Sequence, residues 1–172
     1  EDFVMECGSM RKILSWNVNG LEAFLRGEGH SHIGEMLDSF GKEMAMVCLQ
    51  ETKLLNGRAI PEIVGRCPVG WQAYFSVCKR SSVARGYSGV VTYVRETLCP
   101  TLAAYDSVGF NVALDDDEVT VDTEGRCVVT DHGGFVVYNV YVPASRVHSG
   151  GEEEGKRQGI LSFGGNADVT TT

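Results

Sequence analysis

Three polar residues close apolar, strand-like runs. Asn17 follows Ile13-Leu14-Ser15-Trp16, Glu51 follows Val47-Cys48-Leu49-Gln50, and Tyr141 stands near the end of Val136 to Val142. In α/β sheets the ends of strands are where ligand sites collect, so an amide, a carboxylate and a phenol there make a candidate site. Each alone also has a structural explanation: Asn17 can cap a turn, Glu51 can pair with Lys53, and Tyr141 can sit in the core with its hydroxyl satisfied. The combination is harder to explain that way. A second candidate is the run Lys79-Arg80-Ser81-Ser82-Val83-Ala84-Arg85-Gly86-Tyr87, whose three basic residues, aromatic ring and glycine suit contact with phosphates. Its plain alternative is a solvated basic turn.

Other groupings carry less. His30-Ser31-His32 has the spacing of a metal pair but lies in a Gly/Glu-rich loop without a third ligand. Cys127 and His132, on a strand and its turn, point to opposite faces and form no nucleophile–base dyad. Asp115-Asp116-Asp117-Glu118 reads as a solvated loop with at most weak affinity for a cation.

The elements that must position these residues alternate early in the chain. Lys12 to Trp16 and Met44 to Leu49 are short apolar runs of the kind that form buried strands. Between them Ile33, Met36, Leu37 and Phe40 follow i, i+3, i+4, i+7 spacing, one apolar face of a short helix. Strand, helix, strand predicts an α/β fold. From Trp71 onward strands alone are expected: Trp71 to Val77 alternates, and Gly89 to Val94, Cys127 to Thr130 and Phe135 to Val142 are rich in β-branched and aromatic residues. Asp131-His132-Gly133-Gly134 predicts a hairpin between the last two.

Composition bounds the reading. The 172 residues are 43% hydrophobic and 22% charged, which excludes disorder, collagen and coiled coil. Glycine, 21 of 172, points to tight turns between short elements. The formal charge of -8 argues against an acidic partner, but it is uneven: residues 1 to 110 carry 11 basic and 12 acidic side chains, residues 111 to 172 carry 4 and 11. The six cysteines form no C-x-x-C pair and have no histidine at zinc-finger spacing, so a zinc site is not expected. With no signal sequence and no apolar run near membrane length, a reducing intracellular compartment and free, mostly buried thiols are expected. Residues 1–9 are expected to be extraneous, and the Gly/Glu/Thr-rich stretch 147–172 to be a disordered tail.

Five blocks in order carry a family resemblance: Ser15-Trp16-Asn17-Val18-Asn19-Gly20-Leu21, Leu49-Gln50-Glu51-Thr52-Lys53, Gly86-Tyr87-Ser88-Gly89-Val90, Glu124-Gly125-Arg126 and Asn139-Val140-Tyr141-Val142-Pro143. Residues 10–146 resemble the first half of exonuclease III-type AP endonucleases of the endonuclease/exonuclease/phosphatase superfamily, most closely the AP endonuclease 2 branch. The resemblance implies a DNase I-like four-layer α/β sandwich, two packed β-sheets flanked by helices, of which this chain holds the first half. It implies Mg²⁺-dependent hydrolysis of phosphodiesters, with Mn²⁺ as an alternative ion. The activity would be AP-site incision with 3′–5′ exonuclease or 3′ phosphodiesterase action in base excision repair.

In that scheme Glu51 and Asn17 would hold the metal, and Tyr141 would act at the scissile phosphate. Lys79, Arg80, Arg85, Gly86, Tyr87 and Arg126 would contact DNA, the loop also probing the minor groove. The partner would be double-stranded DNA with an abasic site or a blocked 3′ end, in the nucleus, or else the cytoplasm or mitochondrion. No membrane partner is expected, and a replication-clamp partner only through a C-terminal region of a longer parent. The family's later Gly-Asp-x-Asn and Asp-His blocks have no counterpart here, and Ala144 stands where many relatives carry a polar residue. A truncated, inactive chain is therefore expected. The alternatives are a phosphoinositide or sphingomyelin phosphoesterase of the same fold, a fragment that only binds DNA, and a fragment that folds poorly.

Overall fold

The computed structural model describes residues 11–54, 62–79, 86–107 and 121–142. Strand β1 (Lys12–Asn17) lies parallel to β2 (Met44–Gln50), and parallel neighbours need a crossover. Helices α1 (Leu21–Gly27) and α2 (Ile33–Ser39) provide it. A short helix α3 (Glu62–Gly65) precedes β3 (Trp71–Ser76), which pairs antiparallel with β4 (Val90–Arg95), and β4 pairs antiparallel with β2. The first sheet is thus ordered β1-β2-β4-β3. A second, antiparallel sheet is ordered β5-β6-β7, from Ala103–Tyr105, Cys127–Asp131 and Val136–Val140. A 3₁₀ turn over Val121–Glu124 leads into β6.

The run Met44-Ala45-Met46-Val47-Cys48-Leu49-Gln50 explains the layering. Apolar on both faces, it can only be a strand covered from two sides. On one side Val47 and Leu49, with Val91 and Tyr93 of β4, pack against Leu21, Leu25, Ile33, Met36, Leu37 and Val64 of the helices. On the other, Met46 and Cys48 join Val94, Cys99 and the partly buried Val137 of the second sheet. Tyr93 is fully buried, yet its hydroxyl donates to the Val64 carbonyl at 2.7 Å, so its polar end is satisfied. The architecture is the expected sandwich of two packed sheets, with the helices of the described residues on the outer face of the first.

The predicted hairpin forms between β6 and β7. Gly133 takes φ 78° and donates to the Asp131 carboxylate at 2.8 Å, while His132 N–H donates to the Phe135 carbonyl. Two elements lie outside the sequence pattern, and one expectation is corrected. Helix α1 falls where the apolar pattern predicts no element; it buries only Leu21 and Leu25, too few apolar positions to show a period. Strand β5 is three residues long and is held by its pairing to β6. Strand β1 is not buried as its composition implies: it lies at a sheet edge, with Ile13 55% and Trp16 43% exposed. Trp16 is held edge-on against Phe24 of α1.

The thiols behave as expected of buried groups. Cys48, Cys67, Cys78, Cys99 and Cys127 are all free, and burial pushes both Cys48 and Cys127 up to about 11. No helix among the described residues is long and apolar enough to cross a membrane. Residues 1–9, Asp115 to Glu118, Ala144 and the 147–172 tail lie outside the described residues.

Candidate active site

Parallel pairing sets the carboxyl ends of β1 and β2 side by side, with Asn17 opposite Gln50. Glu51 therefore emerges beside Asn17, and the two side chains meet: Asn17 Nδ2 donates to Glu51 Oε1 at 2.8 Å. Asn17 Oδ1 turns the other way and accepts the Asn19 backbone N–H at 3.1 Å. A backbone N–H can only donate, which fixes the amide orientation.

Tyr141 comes from the second sheet, directly after β7, with its N–H bonded to the Arg126 carbonyl at 2.8 Å. Its hydroxyl faces the Glu51 carboxylate closely enough to shift its ionisation. Lys53 Nζ stands 3.4 Å from Glu51 Oε2 and also bonds Asn19 Oδ1. The Asn17 amide above all, then the Tyr141 hydroxyl and Lys53 ammonium, hold the Glu51 carboxyl below its ordinary range against partial burial. Burial, then the bond to Glu51 and its charge, push the Tyr141 phenol up, with Arg126 opposing.

This corner is strained. Asn19, Glu51, Lys53 and Ser88, at φ 49° to 54°, are the non-glycine residues with left-handed backbone among those described, and all four lie here. Such conformations cost about 1–3 kcal/mol each and persist only where the surroundings impose them. The 51–53 turn is stitched on both sides: Gly20 and Leu21 N–H donate to the Glu51 and Thr52 carbonyls, and Thr52 and Lys53 N–H donate to the Gly89 and Ser88 carbonyls. Gly86 presses on the same turn, because a Cβ there would lie 1.6 Å from the Lys53 carbonyl oxygen. Gly86→Ala must displace backbone, and a loss of about 2–3 kcal/mol in urea denaturation is expected. A loss within about 0.5 kcal/mol, the range of ordinary surface changes, contradicts this close contact.

The residues expected to touch DNA are distributed differently. Gly86 and the half-exposed Tyr87 flank the strained turn. Lys79 Nζ is paired with Asp106 at 2.7 Å on the surface. Arg126, expected at the surface, is only 8% exposed: Nε donates to Glu124 at 2.6 Å and Nη2 to the Tyr87 hydroxyl at 2.9 Å. Its guanidinium lies 5.5 Å from the Tyr87 ring centre and 5.3 Å from that of Tyr141, bracing both. Arg80 and Arg85 lie outside the described residues.

Among the weaker groupings, Ser31 caps onto Glu35 through its N–H and hydroxyl, and His32 lies 3.8 Å from the same carboxylate, as a structural turn does. His132 meets Cys99 at 3.3 Å, not Cys127. Asn139, to which the residue pattern assigns no role, is 3% exposed and accepts from Gln50 Nε2 at 2.7 Å. A polar residue inside an apolar strand was its available signal.

A model of the Endonuclease/Exonuclease/phosphatase family matches residues 14–167. The chain belongs to that family. Among curated relatives, it is 32% identical over 155 residues to DNA-(apurinic or apyrimidinic site) endonuclease 2 of Xenopus laevis, covering 77% of this chain and 28% of that protein. It is 36% identical over 134 residues to Recombination repair protein 1 of Drosophila melanogaster, covering 78% and 16%. Among solved structures, AP endonuclease LMAP of Leishmania major superposes with a TM-score of 0.53 at 26% identity, covering 77% of this chain and 40% of that one. The chain thus spans less than half the length of these relatives.

A divalent cation is implied by the resemblance, and Glu51 fits one partly. Its carboxylate is a hard anionic oxygen held ionised, and a cation that keeps most of its waters needs only one or two such groups. Asn17 Nδ2 orients Glu51, and the Asn17 oxygen, with one lone pair taken by the Asn19 N–H, keeps a second for the cation or one of its waters. Among the described residues no cluster of three or more acidic, histidine or cysteine side chains gathers. The fit is to a hydrated ion on a single carboxylate.

Proposed function

We propose that this chain carries part of the catalytic centre of a Mg²⁺-dependent DNA phosphodiesterase, an endonuclease at abasic sites with 3′–5′ exonuclease or 3′ phosphodiesterase activity. Mn²⁺ would serve as an alternative ion, and base excision repair in the nucleus is the setting. The observation that carries this reading is the convergence of Asn17, Tyr141 and Lys53 on one ionised carboxylate, Glu51, where strands from both sheets end. The names of the relatives, two of them AP endonucleases, support the choice of DNA.

Bound at Glu51, the cation would stabilise negative charge developing on phosphate oxygens. The chain's own residues do the rest. Asn17 locks the carboxylate in one orientation. The Tyr141 hydroxyl, raised in pKa, stays protonated and can donate to a phosphoryl oxygen as charge grows on it. Arg126 keeps the Tyr141 and Tyr87 rings in register from within. Lys79 can exchange Asp106 for a backbone phosphate, since an exposed ion pair is worth about 0–1 kcal/mol. In the hydrolysis itself a water oxygen bonds to phosphorus as the bond to the 3′ oxygen breaks; the water gives its proton to solvent, and the leaving 3′ oxygen takes one from solvent.

The test is incision of an abasic-site duplex by this chain with Mg²⁺, beside a phosphoinositide. Little or no incision is expected, any that occurs being abolished by Glu51→Ala, with the lipid untouched. Should turnover fall below detection, binding decides: tighter, salt-sensitive binding to the abasic duplex than to intact duplex is expected. Incision indifferent to Glu51→Ala, preferential hydrolysis of the phosphoinositide, or equal binding to both duplexes overturns the reading.

A further inference from the structure

Four side chains at the strand ends close into a ring of contacts. Glu51 Oε1 accepts from Asn17 Nδ2, Asn17 Oδ1 accepts from Asn19 N–H, Asn19 Oδ1 accepts from Lys53 Nζ, and Lys53 Nζ returns to Glu51 Oε2 at 3.4 Å. Three of the four, Asn19, Glu51 and Lys53, hold left-handed backbone. The strain therefore serves to aim these side chains at one another. The ring puts an ammonium against Glu51 Oε2, the carboxylate oxygen that Asn17 leaves open.

We infer that Lys53 is the resident counter-ion of Glu51, a cation built into the chain that holds the carboxylate until a divalent ion displaces it. This rests on reading Glu51 as the ligand of that ion. A divalent cation arriving at Oε2 meets Lys53 at close range, and like charges so near cannot share one carboxylate oxygen. Lys53 must then swing away. Its side chain is 38% exposed against 20% for Glu51, so it has open solvent to move into. Lys53 thereby sets the metal affinity: it weakens binding by competition and keeps Glu51 neutralised and in place when no metal is bound.

The test uses Mn²⁺ alone, with free Mn²⁺ read by electron paramagnetic resonance on the whole chain. Lys53→Met is expected to tighten Mn²⁺ binding about 2- to 5-fold, the range of an exposed ion pair. Lys53→Arg, which keeps the charge, should stay near wild type, and thermal melts confirm that each variant folds. A second readout is acetylation footprinting by mass spectrometry: saturating Mn²⁺ should raise the reactivity of Lys53 relative to Lys12, which is salt-bridged to Glu43 away from the site. Unchanged or weaker Mn²⁺ binding in Lys53→Met, or unchanged Lys53 acetylation, overturns the inference. Glu51→Gln separates the two claims. If it loses Mn²⁺ while Lys53→Met changes nothing, only the counter-ion role falls. If Glu51→Gln binds as wild type does, or the wild type binds no Mn²⁺, the reading of Glu51 falls as well.

Discussion

Glu51→Gln is expected to weaken Mn²⁺ or Mg²⁺ binding at least roughly 100-fold, about 2.7 kcal/mol. The donor set accounts for the size of the loss. Asn17 presents its NH₂ to Glu51 and its oxygen to Asn19, Tyr141 presents a hydroxyl, and Lys53 an ammonium. Only Glu51 brings negative charge, and removing groups that merely orient a metal ligand already costs roughly 10–100-fold. Glutamine keeps the length of the side chain but offers one neutral oxygen, and its amide NH₂ would face the Asn17 NH₂ or the Lys53 ammonium. Titration calorimetry or free-Mn²⁺ resonance measures the loss; an affinity within threefold of wild type contradicts it.

The same donors fix the sign of a pH effect. Because Glu51 has a carboxyl pKa lower folded than its ordinary 4.5, its contribution to stability is present above that value and lost as pH falls through the folded pKa. Glu51→Gln should flatten that acid limb.

Some of this was legible in the residues because it needs only local pattern. Strand β2 declares itself through an apolar run too continuous for a half-exposed strand, and the β6–β7 hairpin through Asp131-His132-Gly133-Gly134. Asn17, Glu51 and Tyr141 stand out because each interrupts an apolar run at its end. Other features depend on contacts between distant segments, which no window of sequence contains. Arg126 looks like a surface cation until Tyr87, 39 residues earlier, and Tyr141 close over it. Lys79 looks free until Asp106 folds beside it. Strand β1 looks buried because its composition is apolar, yet exposure follows from its place at the sheet edge, a property of topology.

Val136, Tyr138 and Val140 are exposed on β7 and Val142 just beyond it, as are Ile13 and Trp16 on β1. Exposed apolar strand edges of this kind are prone to pair with other chains. Among the described residues the two sheets meet through Met46, Cys48, Val94 and Val137, which makes each of these contacts consequential for the site.

Asn139→Ala is expected to remove about 2–4 kcal/mol of stability, a large share of the roughly 5–15 kcal/mol typical of a domain. Asn139 reaches from β7 across the sandwich into the first sheet. Its Oδ1 accepts from Gln50 Nε2 at 2.7 Å, and its Nδ2 donates to the Val91 carbonyl at 2.8 Å, with Thr92 Oγ1 at 3.2 Å. Thr92 and Val91 are fully buried, so water cannot replace the lost amide, and each unsatisfied buried group costs about 1–3 kcal/mol. Asn139→Leu restores volume but not hydrogen bonds, and should fare little better. The urea midpoint measures the loss, and a loss below about 1 kcal/mol contradicts the role. Gln50→Ala combined with Asn139→Ala should cost less than the sum of the two, because they share one bond. The consequence for the site follows from chain order: Gln50 directly precedes Glu51, and Asn139 lies two residues before Tyr141. The bond that bolts the sheets together therefore also sets the distance between the carboxylate and the phenol. In Asn139→Ala, Tyr141 should lose its hold on Glu51 at urea concentrations where both sheets are still folded, and Mn²⁺ affinity should fall before the far-ultraviolet circular dichroism does.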